Sequence, residues 1–195
     1  MFERILFPVD FSRHTERIVH RIPDLKRVGM GEAVLLHVIN PIKGVRWMNV
    51  DEQLLETMKT DAENRLQDVA DGLASRFGIK TVIRVNVGVT DQEIIDTAEE
   101  QDASLIIIGA HGRSYVKGAL LGSVTNSVVK RTRTPVLIAR FKDPRKRVED
   151  DRHFFARDIC TKILYPTDFS ENALRAYRLL KTCHQEGNKE VLLLH

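Results

Sequence analysis

Residues 105–125 read LIIIGAHGRSYVKGALLGSVT, and the reading of this stretch decides the fold. An unbroken aliphatic run, Leu105 to Ile108, stops at Gly109; Gly112 follows, and after nine further residues Gly122 and Ser123 open a helical pattern. That order is strand, glycine-lined loop, helix N-terminus. Glycines let the backbone approach a ligand closely, and the first N–H groups of a helix, with the positive end of its dipole, favour an anion. A phosphate is the natural guest. The better-known phosphate loops do not fit, because Gly122 is followed by Ser123 and Val124 rather than by lysine and a hydroxyl residue, and no G-x-G-x-x-G occurs.

Outward from this stretch the chain alternates strand with helix. Glu3 to Val9 carries Ile5, Leu6 and Phe7 in succession, as a strand covered on both faces does, and Pro8 suits its end. Ser12 is a helix N-cap for a segment reaching about Val28, kinked or restarted at Pro23 and ended by Gly29 to Gly31. Ala33 to Ile39 is a second strand. A long helix then carries a stripe of Val50, Leu54, Met58, Ala62, Leu66, Val69, Leu73 and Phe77, expected to face the core. Thr81 to Val87 alternates polar with apolar, which places it at a sheet edge. Thr90 is expected to cap a short helix with Ile94, Ile95 and Ala98; Ala103 to Gly109 is the fourth strand, Ser123 to Arg131 a helix and Pro135 to Arg140 the fifth strand. Five such alternations predict an α/β fold: an open parallel sheet with helices on both faces, and ligands beyond the C-terminal ends of the strands where strand order reverses.

The spacing of Gly109, Gly112, Gly122 and Ser123, continued by Val124, Thr125 and Pro135-Val136-Leu137-Ile138, resembles the nucleotide signature of the ATP-binding branch of the universal stress protein family. That resemblance implies an adenine nucleotide alpha hydrolase-like sheet in the order 3-2-1-4-5, so that Pro8-Val9-Asp10 and the Gly109 loop share a crevice. It implies ATP or AMP as ligand, with or without Mg, in a stress-response sensor or regulator, and dimerisation through the fifth strand or as a pseudo-dimer of tandem domains. Val9, Val38 and Ile108 would wall the base, and Gly112, Gly122, Ser123, Val124 and Thr125 would take the phosphates. Asp10 would meet the ribose or a cation, or simply cap the first helix; Ser123 would hold phosphate or act only as a cap. His111 reads as a binding contact more than as a base, and Arg113 and Lys117 as phosphate contacts or plain surface charges. Two rivals remain open: slow Mg-dependent ATP hydrolysis, with Asp10 and His111 as candidates, and a dimerising module that binds no nucleotide.

Composition narrows the rest. Of 195 residues 43% are hydrophobic and 29% charged, which excludes a disordered chain, and no apolar run or leader pattern points to a membrane or to export, so the cytoplasm is expected. Cys160 and Cys183 are too far apart for a metal knuckle or redox pair. A net charge of +3 without a basic helix gives no case for nucleic acid.

The beginning of the chain also returns. After a charged linker over residues 142–158, Ile163-Leu164-Tyr165-Pro166-Thr167-Asp168-Phe169-Ser170 repeats Ile5-Leu6-Phe7-Pro8-Val9-Asp10-Phe11-Ser12, and the register holds to His37 and His195. The expected organisation is a nucleotide-binding domain over 1–141 and the first strand-helix-strand of a second, truncated copy over 159–195. So small a piece cannot bury a core alone, so a partner, the first domain or an absent remainder must cover it, the last being preferred.

Overall fold

Strands β1 (Arg4–Pro8), β2 (Glu32–Ile39), β3 (Lys80–Val87), β4 (Leu105–Gly109) and β5 (Val136–Ala139) form one parallel sheet in the order β3-β2-β1-β4-β5. The computed structural model describes residues 2–41, 52–111, 120–140, 162–185 and 190–195. Ile5, Leu6, Phe7, Ala33 to Leu36 and Ile106 to Ile107 are at most 1% exposed, as strands covered on both faces require. The alternating strand, β3, does lie at an edge.

The helices are α1 (Arg13–Val19), α2 (Glu52–Phe77), α3 (Thr90–Glu100) and α4 (Ser123–Arg131). On one face Leu6, Val34, Leu36, Ile106 and Ile108 pack with Ile94 and Ala98 of α3 and Val128 of α4. Right-handed crossovers put α1 and α2 on the other face, toward which Ile5, Phe7 and Leu35 alternate. The first helix is shorter than the sequence pattern suggests. It ends at Val19 and is followed by a 3-10 helix, Ile22–Val28, with Pro23 in its first turn. Pro23 has no N–H to return to the carbonyl of Val19, so the α ladder cannot continue. Gly29 then closes the 3-10 segment at φ 86°, in the left-handed region that glycine enters cheaply.

Two other expectations are corrected. Thr90 does not cap α3: the cap position is Val89, with no side-chain bond, and the Thr90 hydroxyl instead accepts from Asn40 Nδ2 at 3.4 Å. The stripe of α2 is only partly a core stripe, because Ala62, Leu66, Ala70 and Leu73 are buried while Leu54, Met58 and Phe77 are nearly half exposed. Val50 lies outside the described residues.

At the N-terminal ends of the strands one register row sets Arg4 beside Glu32 and Glu32 beside Lys80. The Glu32 carboxylate, 7% exposed, accepts from Arg4 Nε and, at 2.8 Å, from Lys80 Nζ. Hydrogen bonding from Lys80, then from Arg4, holds its pKa below the ordinary carboxylate range against the opposing effect of burial. A lowered folded value means that the triad's stabilisation is complete above the unfolded carboxyl's pKa and is lost as pH falls through the folded one.

Residues 146–195 cluster as a separate unit from residues 2–145. Within it β6 (Lys162–Pro166), α5 (Glu171–Gln185) and β7 (Glu190–Leu194) form a two-stranded parallel sheet with one helix. Lys162 pairs with Glu190 and Pro166 with Leu194, the same register as Arg4 with Glu32 and Pro8 with Leu36. The linker expected over 142–158 lies outside the described residues.

Glu32→Gln is expected to lower stability at neutral pH by about 1–2 kcal/mol, a loss tempered because Arg4 and Lys80 still reach water. Urea unfolding should show the gap between variant and parent closing as pH falls below the ordinary carboxylate range, where the parent's carboxyl takes up its proton.

Candidate functional site

The C-terminal end of β1 is held rigidly. Val9 N–H donates to Leu36 O at 2.7 Å, and Asp10 Oδ1 accepts both Ser12 N–H at 2.9 Å and the Thr15 hydroxyl at 2.8 Å. Ser12 Oγ caps α1 through Thr15 N–H at 3.4 Å, as its residue type predicts. Asp10 Oδ1 thus fixes the turn into α1, and the same turn recurs where Asp168 Oδ1 accepts Ser170 N–H at 2.9 Å and Ser170 Oγ accepts Ala173 N–H at 3.2 Å. The additional clamp belongs to the first copy alone, since Ala173 stands in the place of Thr15 and has no hydroxyl.

Between these residues Phe11 adopts φ 56°, which an L side chain enters only at a cost. Its ring centroid lies 4.5 Å from that of His37, and His37 Nδ1 donates to Val9 O at 2.6 Å. The stack and the strained turn recur in Phe169, φ 62° and 4.7 Å from His195. The Arg65 guanidinium lies 3.8 Å above the Phe11 ring and ties α2 to this loop.

The other wall is the end of β4. Ala110 N–H donates to Ala139 O at 2.8 Å, Gly122 N–H to Ala110 O at 2.7 Å, and the buried Thr125 hydroxyl to Gly109 O at 2.7 Å. The first joins the ends of β4 and β5, and the other two bring the start of α4 back against the strand it left. Gly109 is where the chain folds tightest: a Cβ there would lie 3.1 Å from His111 O. Gly122, not Ser123, holds the cap position of α4; Ser123 is the first helical residue, and no side chain caps the helix. The first-turn amides of α4 therefore lack intrahelical partners and a side-chain cap. The Thr125 hydroxyl proton, expected on a phosphate, is instead engaged by Gly109.

Together these ends enclose an open cavity of about 440 Å³, within the usual range for small-molecule sites. Pro8, Val9, Asp10, Val38, Ile108, Gly109, His111, Gly122, Ser123, Val124 and Thr125 all line it. Gly112, Arg113 and Lys117 lie outside the described residues. The cavity also takes Thr15, Leu36, His37, Ile39, Asn40, Met58, Thr90 and Ile94, which the sequence reading did not assign to the site. Asn40 directly after the β2 run and Thr90 opening α3 were the available signals, since both belong at C-terminal strand ends.

His111 is 8% exposed. Close by on α1, burial holds the His14 pKa below its usual range, and the Arg17 guanidinium and His111 add to the effect against an opposing pull from Asp10. Among the described residues no group of three or more His, Cys, Asp or Glu could hold a metal, and no helix is long and apolar enough to cross a membrane.

Comparison with known proteins agrees with this architecture. The universal stress protein MJ0577 of Methanocaldococcus jannaschii is 30% identical over 159 residues, covering 73% of this chain and 98% of that protein. The solved structure of MJ0577 matches with a TM-score of 0.65. A crystal structure of a universal stress protein from Archaeoglobus fulgidus is 28% identical with a TM-score of 0.75; the match covers 97% of this chain, which spans 64% of that longer one. Another from Archaeoglobus fulgidus, 20% identical with a TM-score of 0.50, shares the fold and was solved in complex with dAMP. The universal stress protein family profile matches residues 1–140. With that match, the 3-2-1-4-5 sheet and the extended identity to MJ0577, this chain belongs to the universal stress protein family.

Proposed function

We propose that the cavity binds an adenine nucleotide, ATP or AMP, and that the protein acts as a nucleotide-responsive regulator. One observation carries the reading: a carboxylate and an uncapped helix N-terminus stand at either side of a mainly apolar cavity. An apolar wall suits a base, the carboxylate accepts hydrogen bonds from ribose hydroxyls, and first-turn amides of α4 donate to phosphate oxygens. His111, which also lines the cavity, continues the phosphate side. Regulation is favoured over turnover because Gly122 is followed by Ser123 and Val124, so the sequence places no lysine at a Walker position, where phosphoryl transfer would use it. We read residues 159–195 as the first strand-helix-strand of a second domain of the same kind, a reading supported by the matching strand register and by coverage within the longer Archaeoglobus fulgidus chain.

Native mass spectrometry of the freshly purified protein should reveal a bound adenine nucleotide, and calorimetric titration of stripped protein should give saturable binding of AMP or ATP. Absence of both contradicts the proposal.

Asp10 separates structure from binding. Asp10→Ala removes the acceptor for Ser12 N–H and the Thr15 hydroxyl and should cost about 1–2 kcal/mol of stability on thermal or urea unfolding. Asp10→Asn keeps a neutral acceptor, so it should fold near parental stability yet bind nucleotide about tenfold more weakly, a loss comparable to one charge-assisted hydrogen bond. Unchanged affinity in Asp10→Asn would confine this residue to capping.

A further inference from the structure

Helix α2 is too long for the sheet it covers. Its 26 residues span about 39 Å at the helical rise, whereas the eight residues of β3 span about 26 Å. Only Gly78 and Ile79 separate the end of α2 from the start of β3, so the two are flush at the N-terminal edge of the sheet. The surplus of about 13 Å therefore projects past the opposite edge, where the strands end and the cavity opens.

Burial along the helix records this overhang. From Ala62 onward Leu66, Ala70 and Leu73 are buried at helical spacing, whereas no residue from Glu52 to Asp61 is. The same face nonetheless continues upward as Met58 and Leu55, three and four residues apart along the line that runs down to Ala62. Met58 lines the cavity and is 45% exposed. Its stripe has run past the buried part of the helix and turns to the cavity instead.

We propose that Met58 is a binding residue of this site: its thioether lies on the face of the bound base, and the overhang of α2 is the wall that encloses the base. This rests on the nucleotide reading above and assigns it a wall that the glycine signature does not contain. The strand order decides which end of the ligand Met58 meets. Helix α2 packs on β2 and β3, whereas α4 starts at the end of β4, two strands from β2 and so about 10 Å across the cavity. Met58 thus shares the apolar end with Val38 and Ile39, away from the phosphate-binding amides. A flexible, polarisable thioether adapts well to a flat aromatic face. Arg65, two turns further along α2 and stacked on Phe11, anchors the helix so that Met58 stays over the cavity.

The test is AMP titration of the full chain by calorimetry, with Met58→Ala, Met58→Leu and, as a control on the same overhang, Leu54→Ala, which is 48% exposed and does not line the cavity. Loss of the Met58 contact should raise Kd about five- to tenfold, Leu should restore it to within about twofold, and Leu54→Ala should leave it unchanged. In the parent, the Met58 methyl resonance, assigned from its disappearance in Met58→Leu, should move on AMP addition through the ring current of the base. Parental affinity in Met58→Ala, equal weakening in Leu54→Ala, or an unmoved methyl in AMP-saturated protein overturns the inference while leaving nucleotide binding intact. Failure of the parent to bind AMP or ATP at all removes the nucleotide reading, and this inference with it.

Discussion

Strand order reverses at β1, and everything that makes this molecule able to hold a ligand follows from that reversal. The chain winds outward from β1 to β2 and β3, then crosses to the other side of β1 for β4 and β5. The connections leaving β1 and β4 lead to helices on opposite faces, which opens a crevice between the ends of these two strands. Val9 and Asp10 end on one side of that gap, Gly109 and the start of α4 on the other.

The two ends of the sheet meet different demands. At the N-terminal ends Arg4, Glu32 and Lys80 lie side by side in one register row, two cations sharing one buried carboxylate that ties three neighbouring strands together. At the C-terminal ends, backbone carbonyls and amides are consumed in fixing the rims, as in the bonds of Gly122 to Ala110 and Thr125 to Gly109. The second unit shows what the first owes to its later elements. Leu6 is fully buried, while its counterpart Leu164 is 58% exposed; Leu36 and Leu194 differ in the same way, at 1% and 56%. An identical strand register therefore does not make a core until further strands and helices cover it.

Much of this was legible in the amino-acid sequence, for physical reasons. Continuous aliphatic runs in β1, β2 and β4 can only be doubly covered strands, and the alternation in β3 can only suit an edge. Gly109 was readable because the backbone returns close to it, so that a Cβ would lie 3.1 Å from His111 O. The failures have one origin, that tertiary length and contact are not local properties. Periodicity alone extended the core stripe of α2 over Leu54 and Met58, because it cannot show that the sheet stops at Ala62. Thr90 looked like a cap by residue type, but Asn40, fifty positions away in sequence, holds its hydroxyl. Ser123 looked like a cap for the same reason; the helix does run from Ser123 to Arg131, but the cap position before it is Gly122, whose N–H is held by Ala110 O. His37, read as scaffold from its recurrence at His195, does brace Val9 and Phe11, yet it also lines the cavity.

The central claim is that main-chain amides at the start of α4 receive the phosphate of a nucleotide. Two-dimensional amide NMR of isotopically labelled protein during AMP addition tests it most directly. The account predicts saturable, coincident shifts of the Ser123 and Val124 N–H resonances, together with those of Val9 and Asp10 across the gap. Saturable binding that leaves the Ser123 and Val124 amides in place, with shifts gathered instead on β5 or the second unit, would contradict it.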